Sequence, residues 1–456
     1  MGRIGCVAIV ILLCGAVPGA ARAAEITRVA TAGEKDNPFD LELSVRWDRL
    51  AEDSTISRER ALTAAEAPPF GRLQNTPQFR YSRKMNAVVP RIAFGIYEGL
   101  ELHVEVPYVL ADDRTYKVAK VNGTPADTIP GGVATNTQDA MDRPCTGGVC
   151  PIFLPSTVYH GGQLGDVKAG FKWAVLDDAK DDTTSSWVIG LDVTFPSAKQ
   201  YDPAADRLAS NWLSPYAVPA ESGPMGEKIW RYELSTALSR RYGPIDPYVR
   251  LHVTATRPSS STFSNCDVAE ALAANAPVPQ MTLVAAQNCE SSTWKDEAGA
   301  RLPWLAGGTF GVELVPFQND AKMQKVTLDV RGSVEYTSDQ RFYNALTDAT
   351  GKLMWTQAHY TLGARAGLYL RASRFVTFDA VASYARQTDH FLSGESLGKS
   401  GVDAPGNDIT GEETSPATAN GLLNPNFDWR YDAVGRRFRV TDSGIFTVTF
   451  AAKLGF

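Results

Sequence analysis

Histidine is the side chain best suited to proton transfer near neutral pH, and this sequence holds five: His103, His160, His252, His359 and His390. A histidine base in nucleophilic catalysis needs an activated serine beside it. No G-x-S-x-G elbow is present, and His103, His252 and His359 fall on the polar phase of segments in which polar and apolar residues alternate. We therefore expect these three to belong to a polar network, and we predict that the chain is not an enzyme.

Metal and cofactor chemistry is not indicated either. The sequence has no Walker loop, H-E-x-x-H motif or dinucleotide fingerprint. Beyond the first 23 residues it has Cys145, Cys150, Cys266 and Cys289, and the spacing Cys145-x4-Cys150 lacks the partners that zinc requires. Four cysteines in an exported chain favour two disulfides; of the three possible pairings, Cys145–Cys150 and Cys266–Cys289 are the simplest. We expect no metal and no cofactor.

The compartment follows from the first 23 residues. One early basic residue, Arg3, precedes a short apolar run from Val7 to Leu13, and Ala21-Arg22-Ala23 fits a cleavage site. This pattern predicts a secretory signal peptide over 1–23. A membrane anchor and a lipoprotein signal are the alternatives, but Cys14 lacks the small preceding residue that a lipoprotein signal needs.

Charge excludes one class of partner. Cleavage would remove Arg3 and Arg22 and take the basic count from 45 to 43, against 51 acidic residues. This mildly acidic balance argues against nucleic acid.

Strict alternation of apolar and polar residues dominates the rest of the chain. From Phe39 to Trp47 every odd residue is apolar or aromatic and every even residue is polar, so a strand here has one apolar and one charged face. The pattern predicts about twelve strands, with ten or fourteen as alternatives because Phe427 to Val440 could extend the last strand or form a hairpin. The expected strands are 38–48, 85–96, 100–110, 164–176, 186–196, 228–241, 247–256, 308–316, 324–336, 357–370, 375–387 and 443–456.

The connections between these segments are alternately short and long, which is typical of transmembrane barrels. The first long connection is expected at 51–78, and both cysteine pairs fall in later long ones. A soluble β-sandwich is the alternative, but the polar faces mix acids, bases and glycine, as a narrow lumen would require. We predict an all-β fold, a transmembrane antiparallel up-and-down β-barrel with long extracellular loops. It would comprise residues 38–456, after a short periplasmic segment over 24–37.

The final strand carries a further signal. Phe446, Val448, Phe450 and Leu454 share one face with Phe456, the last residue. A terminal aromatic of this kind resembles the C-terminal strand that the barrel-assembly machinery recognises in bacterial outer-membrane proteins. Phe456 is therefore our candidate assembly signal, and this machinery, outer-membrane lipid and a small-molecule solute are the expected partners.

The polar faces of the strands supply the candidate functional residues. Most are expected to pair with one another inside the barrel, and a minority to contact a solute. The lumen-lining candidates are Asp40, Glu42, Arg46, Arg91, Glu101, His103, Glu105, Lys168, Lys172, Asp192, Arg231, Glu233, Arg250, His252, Asp329, Arg331, His359 and Arg365.

Three segments together resemble a known family. They are Gly99 to Val109, which ends in a Pro-Tyr exit, Leu164 to Trp173, which begins Leu-Gly-Asp-Val, and Val188 to Ala198, which ends in Pro-Ser-Ala. This combination is similar to the outer-membrane family labelled meta-pathway phenol-degradation proteins, over roughly Ile92 to Ala198. The resemblance implies a barrel that passes small hydrophobic or aromatic compounds, but the cysteine-bearing loops depart from the family.

Two functions follow as hypotheses. The first is passive passage of small molecules, hydrophobic or aromatic ones among them, across the outer membrane. The second is a non-conducting structural or surface-binding barrel that acts through its disulfide-stapled outer loops.

Overall fold

The protein is described from a computed structural model. The described residues are 24–30, 40–61, 73–126, 134–135, 152–153, 157–177, 184–203, 225–267, 287–291, 293–294, 296–399, 401–404, 407–409, 423–428 and 431–456. None of the helices among them is both long and apolar enough to span a membrane.

Twelve antiparallel strands form one closed sheet, which confirms the predicted fold and strand number. The last strand pairs with the first, Phe450 opposite Trp47, and the first pairs with the second, Trp47 opposite Val88. Closure pairs the first strand with the last, as a barrel in lipid requires. The strands are β1 (Leu41–Ala61), β2 (Leu73–Tyr97), β3 (Leu100–Glu105 continued by Tyr108–Val118), β4 (Lys168–Leu176), β5 (Ser186–Thr194), β6 (Ile229–Ser239), β7 (Ile245–Pro258), β8 (Leu305–Asn319), β9 (Gln324–Thr337), β10 (His359–Arg371), β11 (Val376–Gln387) and β12 (Phe438–Gly455).

The outer face of the barrel is apolar because the alternation in each strand places one set of side chains outward. Val45, Phe310 and Val330 are 54%, 63% and 57% exposed, although each would be buried in a soluble protein. An exposed apolar belt of this kind, closed around a polar interior, is the signature of a transmembrane barrel.

Two kinds of connection define the two ends of the barrel. The turn end has the C-terminal residue Phe456, which bonds Leu41 at the start of β1, and short connections such as Gly99, with φ of 69°, between β2 and β3. The loop end has the long connections. Small additional elements lie there, among them a helix at Thr347–Thr350 and the short strands Gln340–Phe342 and Met354–Thr356.

The predicted loop over 51–78 is wrong over much of its length. β1 continues to Ala61 and β2 begins at Leu73, so both strands, together with β3, extend well beyond the apolar belt. The alternation fails there because no lipid faces these residues. Inside this extension the polarity is reversed: Ile56, Phe79 and Tyr116 point inward and are at most 1% exposed.

Candidate functional site

Arg91 is the centre of a polar network on the inner face near the turn end. Its guanidinium lies 3.1 Å from Glu42, 2.5 Å from Glu101 and 3.5 Å from Glu105. Lys172 approaches Glu101 to 3.7 Å. These residues all belong to the predicted polar faces of their strands. Their charges neutralise one another across four neighbouring strands, β1 to β4.

A second part of this network depends on a glycine. His103 Nε2 lies 2.7 Å from Asp192 Oδ1, and Lys168 lies 3.3 Å from the same carboxylate. His103 and Asp192 meet beside Gly170, where an added Cβ would fall 2.3 Å from Asp192 Oδ1 and 2.9 Å from His103 Nε2. The inward glycine is thus the space into which this pair fits.

A separate cluster surrounds Asp329 on the opposite wall. Its carboxylate accepts hydrogen bonds from Tyr248, at 2.5 Å, and from Tyr369, at 3.3 Å, and lies 3.4 Å from Arg331. Tyr248 lies over Gly311, where a Cβ would meet its hydroxyl at 2.6 Å.

The remaining candidates are distributed around the inner face. Glu233 pairs with Arg250, and His252 lies 3.3 Å from Glu335. Arg46 contacts Asp48 at 2.8 Å, and Arg231 pairs with Glu227 outside β6. Arg365 and Asp40 also lie on the inner phase, whereas His359 lies at the loop end and stacks on His390. The structure does not bring the candidates together in one site.

The first described residues lie in the lumen, where they join these networks. Glu25 N–H donates to Glu313 at 2.9 Å, and Ala30 N–H donates to Glu101 at 2.9 Å. Between them the Thr27 hydroxyl lies 2.7 Å from that of Ser239. Residues 24–30 of the predicted periplasmic segment 24–37 therefore cross the lumen at the turn end. No sequence pattern indicated this placement, because these residues alternate with no recognisable period.

At the loop end a cluster of buried apolar residues, called the cap below, packs between the extended strands and the long connections. Its buried members are Ile56, Phe79, Tyr81, Tyr116, Val158, Leu346, Ala349, Met354, Leu392, Tyr431, Phe438 and Val440. A polar cluster anchors the cap, in which Asp348 lies 3.2 Å from Arg114 and accepts the Tyr116 hydroxyl at 3.1 Å. Burial alone would raise the pKa of Asp348, but Arg114, the nearby His160 and the hydrogen bond from Tyr201 hold it below the usual range.

The predicted disulfide Cys266–Cys289 is present. Its neighbours tie this loop to other loop-end segments: Asn265 Nδ2 donates to Leu353 O at 3.0 Å, and Asn288 Nδ2 donates to Leu423 O at 2.8 Å. Cys145 and Cys150 lie outside the described residues, so their pairing stays a prediction.

One place in the wall interrupts the strand ladders. β3 breaks at Val106–Pro107, and the ladder between β4 and β5 ends at Lys168 opposite Thr194. Beyond it, single hydrogen bonds replace the ladder: Gly165 N–H donates to Pro107 O at 2.8 Å and Val167 N–H to Ser197 Oγ at 2.8 Å. Among the described residues no strand pairing joins 157–164 to 195–203.

The three segments that carried the family resemblance meet at this interruption. Inside the barrel, an apolar patch formed by Leu50, Met85, Ala87, Val89 and Val109 lies directly beside it. The patch is continuous because Leu50 lies opposite Met85, and Ala87 opposite Val109. On the outer face, Leu110 and Leu164 are 49% and 57% exposed beside the same gap.

Comparisons with known proteins find solved outer-membrane proteins of low similarity. No family model and no curated protein matches the sequence, so the expected family is not confirmed. The COG4313 outer-membrane channel of Pseudomonas putida F1 is 9% identical with a TM-score of 0.41, and covers 97% of this chain and 100% of its own. A Pseudomonas aeruginosa FadL homologue is 10% identical with a TM-score of 0.31, covering 91% and 90%. The Escherichia coli outer-membrane protease OmpT is 5% identical with a TM-score of 0.27, covering 91% and 97%. TM-scores this low transfer no function.

Proposed function

We propose that this chain is an outer-membrane barrel through which small apolar or aromatic molecules pass without energy input, and that they leave the lumen through the wall. The observation that carries the proposal is the apolar patch Leu50–Met85–Ala87–Val89–Val109 beside the interrupted ladder at Pro107 and Gly165. In a lumen rich in ion pairs, this patch is a surface that an apolar solute can cover without displacing charged groups.

The networks at the turn end support a lateral route. Segment 24–30 and the Arg91 network lie across the direct path along the barrel axis. A solute that continued along the axis would have to separate Arg91 from its carboxylates, and an unpaired buried charge costs several kcal/mol, on the order of 3–5. The interrupted wall between β3, β4 and β5 offers a path without that cost.

Filling the gap tests the proposal. An indole at Gly165, where an added Cβ already meets Pro107 Cγ at 3.0 Å, would occupy the interruption. We expect Gly165→Trp to reduce uptake of radiolabelled toluene by cells that express the chain severalfold. The matched control is Gly299→Trp, because an added Cβ there meets nothing within 4 Å. Equal uptake by two folded variants would contradict a path through the wall.

A structural or surface-binding barrel remains the second candidate. The cap and the loop stapled by Cys266–Cys289 favour it, since a rigid outer surface is what such a protein presents. Wild-type cells that take up toluene no faster than cells lacking the chain would favour this second function.

A further inference from the structure

The outer face of the strand extension has a composition different from the belt below it. In β1, β2 and β3 the outward apolar belt ends near the row Trp47, Val88 and Tyr108, which lie opposite one another, and Leu110 continues it by two residues in β3. Every second residue continues to point outward above this level, and apart from Ala51, Asn86 and Ala111 the side chains there are charged or carry hydroxyl groups.

Basic residues predominate on this surface. Arg49, Lys84, Arg80 and Lys117 are all exposed, and two outward carboxylates, Asp53 and Asp113, accompany them. Asp113 lies directly opposite Lys84. The described residues supply no ion-pair or hydrogen-bond partner for any of the four basic side chains.

The upper part of the surface holds an unfavourable pair. Arg80 lies directly opposite Lys117 in the β2–β3 ladder. Like charges in this position destabilise a sheet, because their Cβ atoms are roughly 5 Å apart. An anion that bridges the two would remove this repulsion, and each charge-assisted hydrogen bond would add to the gain.

Hydroxyl groups fill the row between the basic residues. Ser82 lies opposite Thr115, and Thr115 opposite Thr157, whose hydroxyl is 3.5 Å away. Tyr159, 44% exposed, lies beside them. Hydroxyls and an exposed aromatic ring next to cations suit a ligand that carries both sugar rings and phosphates.

The distance of these cations from the apolar belt indicates which molecule supplies that ligand. Arg49 is two residues above Trp47, and Lys84 lies opposite Ala51, four residues above it. At roughly 3.3 Å per residue and a strand tilt of about 40°, these cations lie about 5 and 10 Å above the apolar belt. That is the level of lipid headgroups, and Arg80 and Lys117 continue the surface further outward.

We propose that the outward face formed by Arg49, Arg80, Ser82, Lys84, Thr115 and Lys117 binds the phosphorylated sugar headgroup of an outer-leaflet glycolipid. The proposal uses the orientation of the proposed function, with the loop end outward, but does not require transport. Acyl chains of the same lipid would lie against Trp47 and Tyr108 below.

Binding of bisphosphorylated lipid A to the purified full-length barrel tests this inference. We expect tight binding in detergent, and roughly tenfold weaker binding to Arg80→Ala/Lys117→Ala, because the variant lacks two charged hydrogen-bond donors. The control double variant is Arg386→Ala/Lys322→Ala. Arg386 is exposed at the loop end but is paired with Asp442, and Lys322 lies at the turn end. This control should bind as the wild type does.

Three outcomes would overturn the proposal. The first is unchanged affinity of the Arg80/Lys117 variant, and the second is equal binding of dephosphorylated lipid A by the wild type. The third is displacement of lipid A by millimolar inorganic phosphate, which would indicate a site for the free anion. Heat-modifiable migration on gels verifies that each variant is folded. Loss of toluene uptake in Gly165→Trp with lipid A binding intact would separate this inference from the proposed function.

Discussion

At the scale of single residues, the alternation of polar and apolar residues predicts the face of the strand on which a side chain lies. It does not predict which residue that side chain contacts. Arg91, Glu101 and His103 were all expected on the inner face from the sequence, and they lie there. The sequence could not show that Gly170 is the space beneath His103 and Asp192, because that fit depends on how three strands align. Register is a property of the whole sheet, and a single strand does not reveal it.

The stacked imidazoles of His359 and His390 predict that the stability of the surrounding segment depends on pH. Their ring centroids are 3.9 Å apart, and each Nδ1 lies within 3.0 Å of a backbone carbonyl two residues earlier. Burial, together with His359 and Arg439 nearby, lowers the pKa of His390 to about 4. The free histidine titrates near 6.5, so the unfolded segment binds the proton first as the pH falls.

The folded segment should therefore be fully stable above about pH 6.5 and lose stability between about pH 6.5 and 4. Hydrogen exchange of residues 388–392 at pH 8, 6 and 4.5 measures this, and protection should decrease at the two lower values. His390→Gln should remove most of the dependence. Equal protection of the wild type at all three pH values would show that this pair does not control the segment.

At the scale of elements, the sequence predicts strands where lipid covers one face and fails where it does not. The sequence pattern predicts all twelve membrane-crossing segments, but it predicts a loop over 51–78, where β1 in fact continues to Ala61 and β2 begins at Leu73. In that extension the apolar side chains point inward into the cap, so the phase of the alternation reverses along one strand. A pattern search with a single phase cannot follow such a change.

The aromatic packing within the cap predicts how strongly a substitution there lowers the stability of the loop end. Phe79 is fully buried, with its ring centroid 6.2 Å from that of Tyr116 and 5.8 Å from that of Phe438. Phe79→Ala should cost about 3–5 kcal/mol of cap stability. Limited trypsin digestion should then cut the loop end much faster, while the barrel keeps its heat-modifiable migration. Leu73→Ala, at a 43% exposed position on the same strand, is the control and should digest at the wild-type rate.

At the scale of the whole molecule, described parts of the chain lie inside the barrel at both ends. The cap packs at the loop end, and residues 24–30 with the Arg91 network lie across the lumen at the turn end. The sequence predicts a polar lumen, but these arrangements depend on contacts between residues far apart in the chain. Glu25 and Glu313, for example, are separated by 288 positions.

Ionic conductance should report how far these parts of the chain obstruct the lumen. The refolded chain without residues 1–23 is expected to show little steady current in a planar bilayer. A chain that lacks residues 24–30 should show larger conductance steps, because Glu101, Glu313 and Ser239 lose the segment that lies across the lumen. Large, stable steps from the intact chain would contradict an obstructed turn end.

The central claim is that an apolar solute occupies the patch beside the interrupted wall, and crystals soaked with bromobenzene test it most directly. The account predicts anomalous bromine density between the patch Leu50–Met85–Ala87–Val89–Val109 and the gap at Pro107 and Gly165. Bromine density confined to the outer apolar belt, with none against this patch, would contradict it.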